Sequence, residues 1–243
     1  MCRESSRADG LAMNHGRYPQ KEAKKGSQKW IQKLVNNCPD LLDGYIREVG
    51  GLQSGHSITW LSPLKEDQFA EYRDTGFLLR LDLKEHANAL SLFWPKGGPQ
   101  WDGLGVDKQI KRYFLLEAKA NIPELVTKCN AKELKSIQRI ESSLTQVQTY
   151  LENQSLVQWS KVFYQYANRI AHLYFLREIV KVDAFLIFVY FENDFTHIVT
   201  SHEAWQGALL LQKRLMGLSE HKFQKFIQEI FIDVKEIESN SIK

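Results

Sequence analysis

The chain has 243 residues, 43% of them hydrophobic and 25% charged, with a formal net charge of +3. That is ordinary globular composition, enough for one sizeable core, and it excludes a low-complexity or fibrous protein. No apolar run is long enough to span a bilayer and the opening "MCRESSRADG" lacks the apolar stretch of a signal peptide, so a soluble, cytoplasmic protein without a membrane partner is expected. Cys2, Cys38 and Cys129 are odd in number, far apart and never in a Cys-x-x-Cys pair, which points to unpaired thiols rather than a disulfide framework or a zinc site.

Residues 1–26 carry six basic side chains (Arg3, Arg7, Arg17, Lys21, Lys24, Lys25) against three acids (Glu4, Asp9, Glu22), so this segment holds the whole positive excess. Poor in large apolar side chains, it reads as a flexible basic tail ahead of a single domain over residues 27–243. The body is close to neutral, and overall charge argues neither for nor against a nucleic-acid partner.

In "SQKWIQKLVNNCPDLLDGYIREVGG", Trp30, Ile31, Leu34 and Val35 recur at helical spacing and Pro39 interrupts, giving one or two short helices. In "WLSPLKEDQFAEYRDTGFLLRL", Ser62 as cap, Pro63 at the first helical position, and Glu66 and Asp67 in the first turn predict a helix over residues 63–81. The apolar burst "LSLFWPKGGPQWDGLGV", broken by a Gly-Gly-Pro turn, and "RYFLLEAKA" read as neighbouring strands joined by a polar loop around Asp107 to Arg112. After Pro123, Leu134, Ile137, Ile140, Leu144, Val147 and Leu151 line one face of a long helix, and "QWSKVFYQYANRIAHLYFLREIV" reads as a second. "DAFLIFVYF", apolar on both faces and ended by Asn193-Asp194, has the signature of a central strand. A helix over Ser201 to Met216 follows, and "FIQEIFIDVKEI" supplies a last helix and strand. This order predicts an α/β fold with a mixed central sheet flanked by helices.

Acid-x-lysine triplets are cheap, since chance gives roughly one Glu-x-Lys and one Asp-x-Lys in a chain of this length. Glu22-Ala23-Lys24 lies in the tail, Glu133-Leu134-Lys135 and Glu220-His221-Lys222 in polar helical settings, and Asp82-Leu83-Lys84 at a helix end, so all four read as solvated charges. Glu117-Ala118-Lys119 and Asp233-Val234-Lys235 are left on strands. Residues i and i+2 share a strand face, so Glu117 and Lys119 project together, and charges taken out of water there need partners. Asp102, in "GPQWDGLG" at the start of the preceding strand, comes beside Glu117 if the two strands pair antiparallel. Two carboxylates facing one point suit Mg²⁺, a hard cation that takes oxygen ligands, and a lysine beside them can orient a water or offset charge on a phosphate oxygen. Asp233 has no such acid before it and ranks second. The bland alternative is a structural salt bridge in which Lys119 neutralises Glu117.

Asp102 followed by Glu117-Ala118-Lys119 on the next strand resembles the active site of the PD-(D/E)XK, or restriction-endonuclease-like, nuclease superfamily. The strings "WLSPL", "EYRD", "FWPKGGPQWDGLG", "LLEAKANIPEL" and "YQYANRIAHLYFLRE" are further similar to a bacterial group within it, over residues 60–195. The resemblance implies a restriction-endonuclease-like core and a Mg²⁺-dependent endo- or exodeoxyribonuclease, a hydrolase in which Mn²⁺ can stand in for Mg²⁺. It implies Asp102, Glu117 and the backbone carbonyl of Ala118 as metal ligands, and Lys119 as the residue that positions the attacking water. A helix glutamate before the first strand often joins such sites; Glu71 fills that role, with Glu66 as the alternative. Gln146 and Tyr150 match a Gln-x-x-x-Tyr pattern that follows the lysine strand in some members. The proline that often precedes the aspartate is not adjacent here, Pro99 standing three residues earlier. The partner implied is nucleic acid, DNA first and RNA as the alternative, and a homodimer is admitted. A catalytically inactive nucleic-acid-binding or assembly module of the same fold is the rival reading.

Gln165, Asn168, Arg169 and His172 fall at i, i+3, i+4 and i+7, a narrow polar stripe on an otherwise apolar helix. The stripe is either a solvent-facing edge or a cleft wall that binds substrate, with Arg169 gripping a phosphate and Gln165 hydrogen-bonding near the metal. His172 reads as structural, and Tyr164, Tyr166 and Tyr174 read as core rather than as platforms for bases.

Overall fold

In the computed structural model, which describes residues 16–241, the chain begins with strand β1 (Arg17–Tyr18), helices α1 (Gly26–Asn37) and α2 (Pro39–Glu48), and strands β2 (Thr59–Ser62) and β3 (Glu71–Tyr72). Helices α3 (Asp74–Arg80) and α4 (Ala87–Phe93) lead into the hairpin β4 (Gly103–Asp107) and β5 (Arg112–Lys119). Helices α5 (Leu134–Tyr150) and α6 (Tyr164–Tyr174), strand β6 (Asp183–Glu192), helix α7 (His202–Met216), strand β7 (Ile227–Asp233) and helix α8 (Val234–Asn240) complete it. What was expected of Cys2, Arg3, Glu4, Arg7 and Asp9 lies outside the described residues.

Five strands form one mixed sheet in the order β2-β4-β5-β6-β7. β2, β4 and β5 are antiparallel, and β6 and β7 continue from β5 in parallel. The α/β class with helices on a mixed central sheet is therefore as expected. β6 is central because it is apolar on both faces: Leu186, Phe188 and Tyr190 enter one core, Phe185, Ile187, Val189 and Phe191 the other. The second core is closed by Trp30, Ile31 and Leu34 of α1, Leu42 and Ile46 of α2, and Ile237 of α8. The first core holds Leu144 and Val147 of α5, Ile170 and Leu173 of α6, and Trp205 of α7. Within it Tyr166 stacks on Phe188 at a centroid separation of 4.3 Å. Cys38 and Cys129 are free thiols, and no helix among the described residues is long and apolar enough to cross a membrane.

Three expectations need correction. The helix over residues 63–81 does not form. Ser62 is drawn into β2 opposite Leu104, and Gln68 and Phe69 take left-handed φ values of 56° and 48°, so only a single 3₁₀ turn at Lys65–Asp67 and the short α3 are helical. "LSLF" lies in helix α4 rather than in a strand; the expected strand pair is the β4–β5 hairpin alone. The segment expected as part of a loose tail is packed on the body from Gly16 onward. β1 pairs with β3, and Arg17 donates to Asp67 Oδ1 from Nε at 3.0 Å and Nη2 at 2.8 Å. Gly16 and Gly76 meet backbone to backbone, so closely that a Cβ on Gly76 would lie 2.6 Å from the Gly16 carbonyl carbon. These ties are polar or between backbones, and apolar composition cannot reveal them.

Candidate active site

β4 stops short of β5. Their last pair is Gly103 with Leu116, so Asp102 stands beside Glu117 as expected. The Asp102 side chain takes over where the strand ends, its Oδ2 accepting the Ala118 N–H at 2.7 Å. A strand residue's N–H and C=O point to the same edge, so the Ala118 carbonyl also lies on the edge that Asp102 borders. Glu117 and Lys119 share the opposite parity and face α6. Lys119 Nζ lies 2.5 Å from Glu117 Oε1 and donates to Gln165 Oε1 at 3.0 Å. Arg169 Nε donates to Glu117 Oε2 at 2.6 Å, and its Nη atoms reach Asn168 Oδ1 at 2.8 Å and the Gln100 carbonyl at 2.9 Å. Glu71 accepts from Gln28 at 2.9 Å and from Gln100 at 2.5 Å.

Asp102, Glu117, Ala118, Lys119, Glu71, Gln165, Asn168 and Arg169 all line one cavity of about 800 Å³. Burial sets the electrostatics. Burial alone would raise Glu117, but Arg169 and Lys119 outweigh it and hold the carboxyl below its usual range. For Lys119 burial opposes the charged form, and Glu117 and Asp102 overcome it, leaving the ammonium more basic than usual. Asp102 keeps one face at the cavity but is otherwise enclosed; burial, reinforced by Glu117 and Glu71, pushes its carboxyl well above the ordinary value against the pull of Lys119. Burial, with Glu117 adding to it, likewise raises Glu71 despite its two glutamine donors.

The polar stripe on α6 is not a solvent-facing edge: Asn168, Arg169 and His172 are buried, and Gln165 meets Lys119. Glu71 reaches the cavity from the two-residue strand β3, not from a helix, because the helix expected around it does not form. Glu66 is exposed on the 3₁₀ turn and does not line the cavity. Gln146 and Tyr150 are not brought to the site. They lie on the side of α5 that meets the far end of α6, Gln146 donating to Tyr174 at 3.1 Å and Tyr150 to Glu178 at 2.8 Å. Asp233 caps α8 through the Lys235 N–H at 2.9 Å, which gives the second triplet a structural role. His172 is structural too: Nδ1 pairs with the Asn168 carbonyl at 2.9 Å, Trp94 lies edge-on at 5.1 Å, and burial lowers its pKa to about 3. Tyr166 and Tyr174 are core, whereas Tyr164 joins the cavity wall. Gln28 and Gln100, which hold Glu71, were not foreseen; Gln28 has no local signal, since its partner lies 43 residues away.

The oxygen donors at the cavity, Asp102, Glu117, Glu71 and the Ala118 carbonyl, are the chemistry that a hard cation such as Mg²⁺ takes. Glu117 is turned toward Lys119 and Arg169, and among the described residues no three His, Cys, Asp or Glu side chains form a ready-made cation cage. The chain matches no family model, no curated protein and no solved structure.

Proposed function

We propose that the chain is a metal-dependent nuclease that hydrolyses phosphodiester bonds in DNA, with Mg²⁺ as cofactor and Mn²⁺ as substitute. The observation that carries this reading is an imbalance among the enclosed groups: buried Glu117 and Glu71 and half-buried Asp102 share the two buried cations Lys119 and Arg169, while Lys96 and Lys128 reach the same cavity from exposed positions, and burial, reinforced by Glu117 and Glu71, pushes Asp102 upward. A surplus of negative charge held out of water is relieved by a proton or by a bound cation. Asp102 and the Ala118 carbonyl would hold the cation, with Glu117 as the third donor. When bound, it supplies Lewis-acid stabilisation of charge on the phosphoryl oxygens. Lys119, fixed by Glu117 and Gln165, orients the attacking water and places positive charge near the phosphate. Arg169 presents a planar fork suited to a phosphate from the same wall, flanked by Gln165 and Asn168.

One observation favours a second reading. Glu117 accepts from two cations on separate oxygens, as a carboxylate in a purely structural network would, which suits a nonenzymatic nucleic-acid-binding or assembly module. A cleavage assay decides. The protein is expected to cut DNA with Mg²⁺ or Mn²⁺, to stop in EDTA, and to lose about 10²–10³-fold in rate with Lys119→Ala while still binding DNA. Binding without cleavage by the wild type favours the second reading, and cleavage indifferent to Lys119→Ala removes this site from the reaction. RNA of the same sequence, run alongside, reports which nucleic acid is the substrate.

A further inference from the structure

On the far side of the Pro95–Gly97 turn lies a second cavity of about 720 Å³, and both cavities have that turn as a wall. Its lining carries three cations, Arg73, Lys96 and Arg139, against one acid, Asp74. Asp74 is fully engaged, accepting the Gly97 N–H at 3.1 Å, the Gly98 N–H at 2.9 Å and Arg73 Nε at 3.2 Å. Asp74 thereby fixes the turn that carries Lys96 into the wall between the cavities. Lys96 and Arg139 enter no ion pair among the described residues. One nitrogen of Arg139 is anchored on the Ser91 carbonyl at 2.7 Å, which steadies the guanidinium and leaves its other N–H groups for a ligand.

The same cavity has an apolar side. Leu90 and Trp94 are buried in its wall. Tyr18 is 40% exposed at the rim, with the Arg73 guanidinium 5.3 Å from its ring. Free cations and an aromatic platform fit a ligand that combines phosphate and a planar ring. An inorganic anion would leave the aromatic side unused, and an apolar metabolite would leave the cations unused. A nucleotide uses both, and a volume of this order accommodates a small-molecule-sized group.

We propose that this second cavity receives an unstacked nucleotide adjacent to the one that is cut, with Lys96 and Arg139 on its phosphates, so that the preferred substrate is single-stranded DNA. A base in a duplex is stacked and paired and cannot enter a separate pocket, whereas a single strand can pass over the Pro95–Gly97 turn from one cavity into the other. The inference rests on the nuclease reading for its direction, but it is tested by binding alone. Fluorescence anisotropy in EDTA would compare a labelled single strand with a blunt duplex of the same length. The wild type is expected to bind the single strand at least about tenfold more tightly. Lys96→Glu with Arg139→Glu is expected to weaken single-strand binding about tenfold and to flatten its salt dependence by roughly two phosphate contacts. Tyr18→Ala is expected to weaken it about fivefold. All three side chains are exposed, and circular dichroism checks that each variant folds. Equal affinity for both DNA forms, or single-strand binding unchanged in the folded double variant, overturns the inference. If Mg²⁺-dependent cleavage persists alongside such a result, the nuclease reading stands and only this cavity's role falls. If the single-strand preference holds while the wild type never cleaves, the reverse is true.

Discussion

The strand pair β5–β6 carries a doubly held carboxylate at each end. At one end Asp183 accepts from Arg112 Nε at 2.7 Å and Arg177 Nη1 at 2.8 Å; at the other Glu117 is held by Lys119 at 2.5 Å and Arg169 at 2.6 Å. Asp183 is partly exposed and outnumbered by its cations, which overcome the effect of burial and keep its carboxyl below the usual range. Glu117 is 2% exposed and has two further carboxylates for company, both pushed upward. Ion pairing therefore does not distinguish a site from a brace. What distinguishes them is how the nearby cations are shared: Asp183 has two arginines to itself, whereas Lys119 and Arg169 serve Glu117, Glu71 and Asp102 together. The Glu117 cluster also sits at the carboxyl end of β5, the side on which α/β sheets receive ligands.

The comparison can be broken most decisively by activity. Asp102→Asn is expected to lower Mg²⁺-dependent DNA cleavage by at least about 10²-fold, while Asp183→Asn leaves it unchanged. A similar loss in both, in proteins that fold, would mean that the two clusters do not differ in kind. Stability sharpens the contrast. Arg169→Met strips one of two cations from a buried, acid-rich cluster and is expected to cost about 3–5 kcal/mol in urea unfolding. Asp183→Asn breaks a partly exposed pair and is expected to cost about 1 kcal/mol or less. The smallest effect is the pH dependence in EDTA, where the two ends have opposite signs. Asp102 is raised in the folded protein, so its contribution is present below the unfolded carboxylate pKa of about 4 and is lost as pH rises through the raised value. Asp183 is lowered, so its contribution is present above that value and is lost as pH falls through the lowered one. Melting curves against pH should flatten on the alkaline side for Asp102→Asn and on the acid side for Asp183→Asn; flattening on the same side in both would contradict the assignment.

How much of this was legible in the sequence depends on how local the signal is. Asp102, Glu117 and Lys119 could be read because a two-residue period and a short hairpin fix which side chains become neighbours. The stripe of Gln165, Asn168 and Arg169 was legible as a face, but periodicity says which residues share a face and not what the face meets, so its burial against Glu117 had to come from the fold. Glu71 was picked out, yet its setting was misread. Helix signals around Ser62 and Pro63 are weak priors, and pairing of β2 with β4 overrode them. Gln28 and Tyr18 were hidden for a different reason, since each acts through contacts with distant chain that no local pattern records.

Arg169 and Arg177 belong to one helical run, α6 and the π-helical turn Phe175–Ile179 that continues it, and they tie that run to opposite ends of the same strand pair. The helix is a beam pinned at both ends, and it cannot lift at either without parting an ion pair. Its amides, like those of β6, should exchange with deuterium only through global unfolding, whereas Pro95–Gly97 and its neighbours should exchange through local opening. Any motion that opens the cavity then belongs to that turn, and the wall carrying Arg169 stays still while it moves.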